Sequence, residues 1–294
     1  MSSTARTERT ATYRSADGLE LFYRDFGDPA AKGTPVVCLP GLTRNSRDFV
    51  KLATRLSADR RVICPDLRGH GDSAWSPEGH YALDAHVYDF AQLIHALDYE
   101  KVTLIGHSLG GNICSRFSGL YPEKVIKFVN IEGLGMSPET QARMSPRGSP
   151  ERLRQWIEDK RKAAGRVPKR YPSLEAAYSR MKAENGHLSD DQARHLTVHG
   201  AIRNEDGTFS WKFDNYLNVW SANDMPLPEL EKLWHAITCP TLMLWGLKSF
   251  LPSPSTDGRI EHFRTARLVE YENAGHWLHH DEFDRFMADV KAFI

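Results

Sequence analysis

The chain has 294 residues, 40% hydrophobic and 26% charged, a globular composition that excludes a disordered polymer. Its 38 Lys and Arg balance 38 Asp and Glu, so no global field favours a nucleic-acid partner. No apolar run reaches the roughly 18 residues needed to cross a bilayer, and the leading MSSTARTERT lacks the apolar centre of a secretory signal.

The length suits one large α/β domain or two small ones. Cys38, Cys64 and Cys239 lie in or beside apolar runs, Cys114 lies in a helical stretch, and none forms a Cys-x-x-Cys pair. Buried free thiols in a reducing compartment are expected, and with them a cytoplasmic protein.

In chain order, residues 10–26 predict two strands, with Asp17-Gly18 as the hairpin turn between them. From Pro35 onward short apolar runs alternate with helical segments. VVCL (36–39), RVIC (61–64), VTLI (102–105) and FVNI (128–131) are too short for helices and rich in β-branched residues. They predict strands buried on both faces, as in a parallel sheet. Residues 81–98 place Val87, Phe90, Ala91, Ile94 and Leu97 on one helical stripe. Strands and helices in alternation predict an α/β fold built from βαβ units.

The alternation stops between Ser137 and Thr238, a polar, helical stretch whose prolines at 138, 146, 150, 168 and 172 predict short helices. Its run of Lys160, Arg161 and Lys162 alternates with Glu and Asp, as on a solvated helix face. The strand pattern returns at TLMLW (241–245) and RLVEY (267–271), and residues 282–294 predict a closing amphipathic helix. The expected organisation is a core of 1–136 and 239–294 with an insertion at 137–238.

Gly106-His107-Ser108-Leu109-Gly110 directly follows the strand VTLI and opens a helix. A serine on so tight a strand-to-helix turn is held in a strained conformation with its hydroxyl exposed, and glycines on either side remove backbone collisions. The helix N-terminus favours developing negative charge. Ser108 is therefore the candidate nucleophile, and the N–H of Leu109 one candidate oxyanion donor.

With this motif stand Leu39-Pro40-Gly41-Leu42, Asp66-Leu67-Arg68-Gly69-His70-Gly71-Asp72-Ser73 and Asn273-Ala274-Gly275-His276-Trp277. Together, in this order, they resemble the lid-bearing serine hydrolase and esterase branch of the α/β-hydrolase fold superfamily. The resemblance implies a mostly parallel central sheet flanked by helices, with 137–238 as a helical lid. It implies His276 as general base, and the N–H of Leu42 as the second oxyanion donor. Arg68 and Asp72 are expected to pin their loop beside the nucleophile, while His70 and His107 line the pocket without transferring protons.

The chain departs from the family pattern at one point. Where the resemblance puts an Asp after Trp245-Gly246, the residue is Ser249, which cannot supply a negative charge. Some members place the acid one strand earlier, and here the residue after FVNI is Glu132. Glu132 is the expected third member of the triad, with Asp257 as the alternative. His276, His279 and His280 form a His-x-x-His-His string without a second ligand cluster nearby, so neither metal nor cofactor is expected.

The aromatic residues Trp156, Tyr171, Tyr178, Phe209, Trp211, Phe213, Tyr216 and Trp220 of the insertion favour an uncharged, moderately hydrophobic small molecule. The expected reaction is hydrolysis of a carboxylic ester or lactone through an acyl-enzyme on Ser108. Two other readings stand beside it: a carbon–carbon bond hydrolase of aromatic degradation, and a ligand-binding protein on the same scaffold, which Ser249 would favour.

Overall fold

The computed structural model describes residues 8–144 and 148–294. Its strands are β1 (Glu8–Arg14), β2 (Glu20–Phe26), β3 (Val36–Leu39), β4 (Val62–Pro65), β5 (Val102–His107), β6 (Val125–Ile131), β7 (Ala201–Arg203), β8 (Phe209–Trp211), β9 (Thr241–Gly246) and β10 (Ala266–Tyr271). The helices are α1 (Val50–Leu56), α2 (Leu83–Ala96), α3 (Leu109–Leu120), α4 (Pro138–Met144), α5 (Ser149–Ala164), α6 (Leu174–Glu184), α7 (Asp190–Gly200), α8 (Leu227–Ala236), α9 (Leu278–Asp281) and α10 (Phe283–Phe293).

Eight strands form one sheet in the order β1-β2-β4-β3-β5-β6-β9-β10. The β1–β2 hairpin is antiparallel, β2 pairs antiparallel with β4, and all pairs beyond are parallel. The central strands are apolar on both faces because both are covered. Val37 and Leu39 of β3, with Met243 and Trp245 of β9, face α2, α3 and α8 through Phe90, Phe117 and Trp234. Their neighbours Val36, Cys38, Leu242 and Leu244 face α1 and α10 through Leu52, Phe286 and Val290. A one-residue slip would exchange these two sets. All four cysteines are buried free thiols.

The segment between β6 and β9 differs from expectation in two respects. It contains a strand pair, β7–β8, whose three-residue strands are joined through Gly207 at φ 83°; strands this short carry no readable alternation. Its helix α5 is also 16 residues long. Pro150 sits in the first turn, where the missing N–H has no intrahelical partner to lose, and Pro168 lies beyond the last residue. Helix α8 packs on α3, with Leu230 and Trp234 in the core cluster.

This segment is tethered to the loop after β4. The N–H of Gly71 donates to Lys212 and that of Asp214 to the carbonyl of Gly69, while the Lys212 ammonium pairs with Asp72 at 2.6 Å and the Tyr81 hydroxyl donates to Asp214 at 2.6 Å. Asp72 thus pins the inserted segment as well as Arg24, its other partner at 3.3 Å.

Arg68 turns the other way. Its guanidinium meets both oxygens of Asp89 on α2 at 2.5 and 2.6 Å, with side-chain exposures of 2% and 5%. Removing one partner strands a buried charge. Arg68→Ala is expected to destabilise the fold by about 3–5 kcal/mol in urea unfolding. The apolar double replacement Arg68→Met with Asp89→Leu should recover most of that loss.

Candidate active site

Ser108 lies between the end of β5 and the first residue of α3, at φ 51° and ψ −116°. Its backbone N–H donates to the carbonyl of Ile131 at 2.8 Å, bracing the turn against the end of β6. The flanking glycines are required by contact: a Cβ on Gly106 would lie 2.6 Å from the Gly110 carbonyl oxygen, and one on Gly110 2.2 Å from that of Leu39. The Ser108 hydroxyl, half-buried, hydrogen-bonds to none of the described residues.

Gly41 approaches the serine so closely that a Cβ there would lie 3.3 Å from Ser108 Cβ. It opens a turn through Leu42 and Thr43 that closes with Arg44 N–H on the Gly41 carbonyl at 3.1 Å. Thr43 has φ 62°, a strained value for a β-branched residue. Among the described residues the N–H groups of Leu42 and Leu109 have no acceptor, so both stay open to a ligand oxygen.

Glu132, the residue after β6, also has positive φ, at 50°. That turn sends its carboxylate across to the next strand end, where Oε1 accepts from Gly246 N–H at 2.7 Å. Oε2 accepts from the Ser249 hydroxyl at 2.5 Å and from His276 Nδ1 at 2.6 Å. The carboxylate is 1% exposed, so these three donors replace water. Ser249, standing where an Asp was expected, donates its hydroxyl to the Glu132 carboxylate instead of facing His276 with a charge of its own. Asp257 instead grips Arg259 Nε with both oxygens at 2.9 Å.

With Nδ1–H committed to Glu132, His276 keeps a lone pair on Nε2, which bonds to no described residue. The loop that carries His276 packs directly on Gly246, where a Cβ would lie 2.3 Å from the Gly275 carbonyl oxygen. His107 holds the same loop by donating Nε2–H to the His276 carbonyl at 2.8 Å. That bond fixes the His107 tautomer and leaves its buried Nδ1 without a partner. No local pattern around His107 signals this brace, which spans 169 positions. His70 is fully buried with Nδ1 on the Arg68 carbonyl at 2.8 Å, away from the cavities described below.

Behind the loop, Asp48 accepts from His280 at 2.8 Å and lies 3.4 Å from His279. Burial alone would raise Asp48, but these two imidazoles hold it well below the usual carboxylate range. Asp48, His107 and His279 offer atoms within 4.8 Å of one another, a donor set of two imidazoles and a carboxylate.

Two cavities flank this centre. One, of about 620 Å³, is lined by His276, Trp277, Phe250, His280 and, from the inserted segment, His187 and Gln192. The other, of about 280 Å³, is lined by Thr43, Arg44, Arg47, His199, Trp211 and Trp277 among others. Of the insertion's aromatic residues, Trp211 and Phe213 reach these cavities. Ser108 lines neither.

A family model described as alpha/beta hydrolase fold matches residues 34–283. The chain belongs to the α/β-hydrolase fold family. An sn-1-specific diacylglycerol lipase of Xenopus tropicalis is 28% identical over 280 residues, covering 94% of this chain and 82% of that protein. A serine hydrolase-like protein of Danio rerio is 34% identical over 191 residues, 64% of this chain but only 57% of its own length. A 3-hydroxybutyrate-oligomer hydrolase of Cupriavidus necator is 38% identical over 126 residues, 42% of this chain and 43% of that protein. In solved structures, a thioesterase domain from the curacin biosynthetic pathway superposes with TM-score 0.83 at 20% identity, covering 97% of this chain and 99% of that one. An α/β hydrolase of Novosphingobium aromaticivorans gives TM-score 0.76 at 25% identity, covering 97% of each chain. Among the described residues, no helix of this α/β hydrolase is long and apolar enough to cross a membrane.

Burial sets the acid limit of the structure. It pushes His70 and His279 down to about 4 and holds His86 and His107 well below the ordinary histidine value. Between about pH 6.5 and 4 these four histidines therefore bind more protons in the unfolded chain than in the folded one, and their contribution to stability falls as pH falls. Each histidine titrating in that window contributes a slope of about 1.4 kcal/mol per pH unit. Urea unfolding at pH 7, 6 and 5 should show a steepening loss, whereas a flat profile would contradict the burial of neutral imidazoles.

Proposed function

We propose that this α/β hydrolase is a serine hydrolase of the carboxylesterase kind, cleaving esters or lactones of small to medium, moderately hydrophobic substrates. The observation that carries the reading is the 2.6 Å bond from His276 Nδ1 to Glu132, which leaves Nε2 as the free base. In this mechanism His276 Nε2 takes the Ser108 proton as Oγ attacks the carbonyl carbon. Glu132 holds the imidazole in its tautomer and stabilises the imidazolium that forms. The N–H groups of Leu42 and Leu109 receive the oxyanion, each such donor contributing roughly 2.7–4 kcal/mol in comparable sites.

The imidazolium then returns its proton to the leaving alcohol, giving an acyl-enzyme on Ser108. Water, deprotonated by the same Nε2, releases the acid. No metal or cofactor takes part in these steps. The inserted segment as far as α8 acts as the lid, and its bonds to Asp72 and Tyr81 fix one margin. Relatives named as a diacylglycerol lipase and a 3-hydroxybutyrate-oligomer hydrolase support cleavage of this bond type.

The test is hydrolysis of p-nitrophenyl esters from acetyl to decanoyl. Turnover by the wild type should vanish in Ser108→Ala, and the chain-length optimum sizes the acyl pocket. Wild-type turnover no greater than that of Ser108→Ala on every ester would reject the reading.

Glu132→Gln separates the two candidate acids. It keeps the shape but removes the charge that stabilises the imidazolium, and kcat should fall on the order of 10³–10⁴-fold. Asp257→Asn should retain activity, since Asp257 serves Arg259. Full activity in Glu132→Gln would overturn the assignment of the acid.

A further inference from the structure

The cavity beside the Gly41–Arg44 turn contains a buried cation without a carboxylate partner. Arg44 is 9% exposed. Its Nη1 points at Met181 Sδ at 3.9 Å, and its guanidinium lies over the Trp277 ring, 5.1 Å from the centroid. No carboxylate among the described residues forms a salt bridge with it. Among the described residues every other arginine buried this deeply has a carboxylate: Arg24 holds Glu8 and Asp72, Arg68 holds Asp89, Arg116 holds Asp224 and Arg259 holds Asp257. A guanidinium taken out of water with only a thioether and a ring face is costly, and the cost is recovered when an anion arrives.

The surroundings reinforce this positive character. Arg47 lines the same cavity with a buried Nε that has no partner, although its two terminal nitrogens bond to Glu8. His195 donates Nε2–H to the Arg47 carbonyl at 3.0 Å and packs against His199. Burial, then the positive fields of His195, Arg47, Arg24 and Lys212, push His199 down to about 4. On the acidic side, Glu184 lines the cavity but is tied to Arg180, and Asp48 acts on Arg44 without touching it.

We propose that Arg44 binds an anionic group, a carboxylate, carried by the substrate. This deepens the serine-hydrolase reading and rests on it. Arg44 leaves the end of the turn that presents the Leu42 N–H, and it lies on Trp277, the residue next to His276. A substrate whose carboxylate meets this planar fork is thereby registered against the oxyanion turn. The preferred substrate is a half-ester of a dicarboxylic acid or a similar acidic ester, a narrower class than the uncharged ligand that aromatic content alone suggests. A cavity of about 280 Å³ suits a short acidic arm.

The test compares mono-p-nitrophenyl glutarate with methyl p-nitrophenyl glutarate, which differ only in whether the distal carboxylate is free or capped. The wild type should favour the free acid at least about tenfold in kcat/KM, or about 1.4 kcal/mol. Arg44→Gln should collapse that ratio to near one, mainly through KM, and Arg44→Lys should restore part of it. Equal rates on both esters in the wild type, or a preference that survives Arg44→Gln, would overturn the proposal.

Binding is read separately by calorimetry of glutarate and dimethyl glutarate on Ser108→Ala protein, which turns over neither. Arg44 predicts that only the dianion binds, and that adding Arg44→Gln weakens it at least tenfold. Glutarate binding without hydrolysis of either ester would sink the hydrolase reading and keep the anion site. Hydrolysis of the capped ester without glutarate binding would do the reverse.

Discussion

The arrangement at the sheet's carboxyl edge depends on one buried carboxylate. Glu132 gathers the Gly246 N–H, the Ser249 hydroxyl and His276 Nδ1 onto two oxygens, so a single side chain ties the end of β6 to the end of β9 and to the loop beyond β10. A carboxylate this deep is tolerable only because every donor is present together. The dependence runs both ways. Ser249 and Gly246 are useful because an anion stands between them, and the anion is stable because they are there.

Strain is concentrated at the same edge. Of the four described non-glycine residues with positive φ, Thr43, Ser108 and Glu132 belong to it, and Asp98 alone lies elsewhere. Each follows a parallel strand, β3, β5 or β6, and each redirects the chain so that a side chain or an amide faces a shared space. Contacts below 3 Å for hypothetical Cβ atoms on Gly106, Gly110, Gly111, Gly133 and Gly246 show how tightly these turns nest. The core on either side of the sheet supplies the rigidity that keeps such conformations populated.

The sheet was readable from sequence because two-sided burial forces short β-branched runs, and the Ser108 turn because its demands are local. Glu132 could be singled out from the serine at position 249 together with an acid one strand earlier. Other features have no local signal. His107 meets His276 across 169 positions, and Arg44 meets Met181 across 137; contacts at such separation exist only once the sheet has formed. The β7–β8 hairpin escaped because three residues cannot display a period of two, and α5 outran its expected length because a proline in a first turn starts a helix rather than stopping it.

The inserted segment is tethered unequally along its two margins. Along the β4 side it is fastened by backbone bonds at Gly69 and Gly71 and by the Asp72 and Tyr81 side chains. Along the opposite side, among the described residues, no hydrogen bond joins residues 174–200 to residues 246–283, and His187 merely stacks on Trp277 at 4.8 Å. The segment is therefore bonded along one margin and only stacked along the other, and the larger of the two cavities lies on the stacked side, between His187 and Phe250 and over the strand ends of β9 and β10, with His276 in its wall.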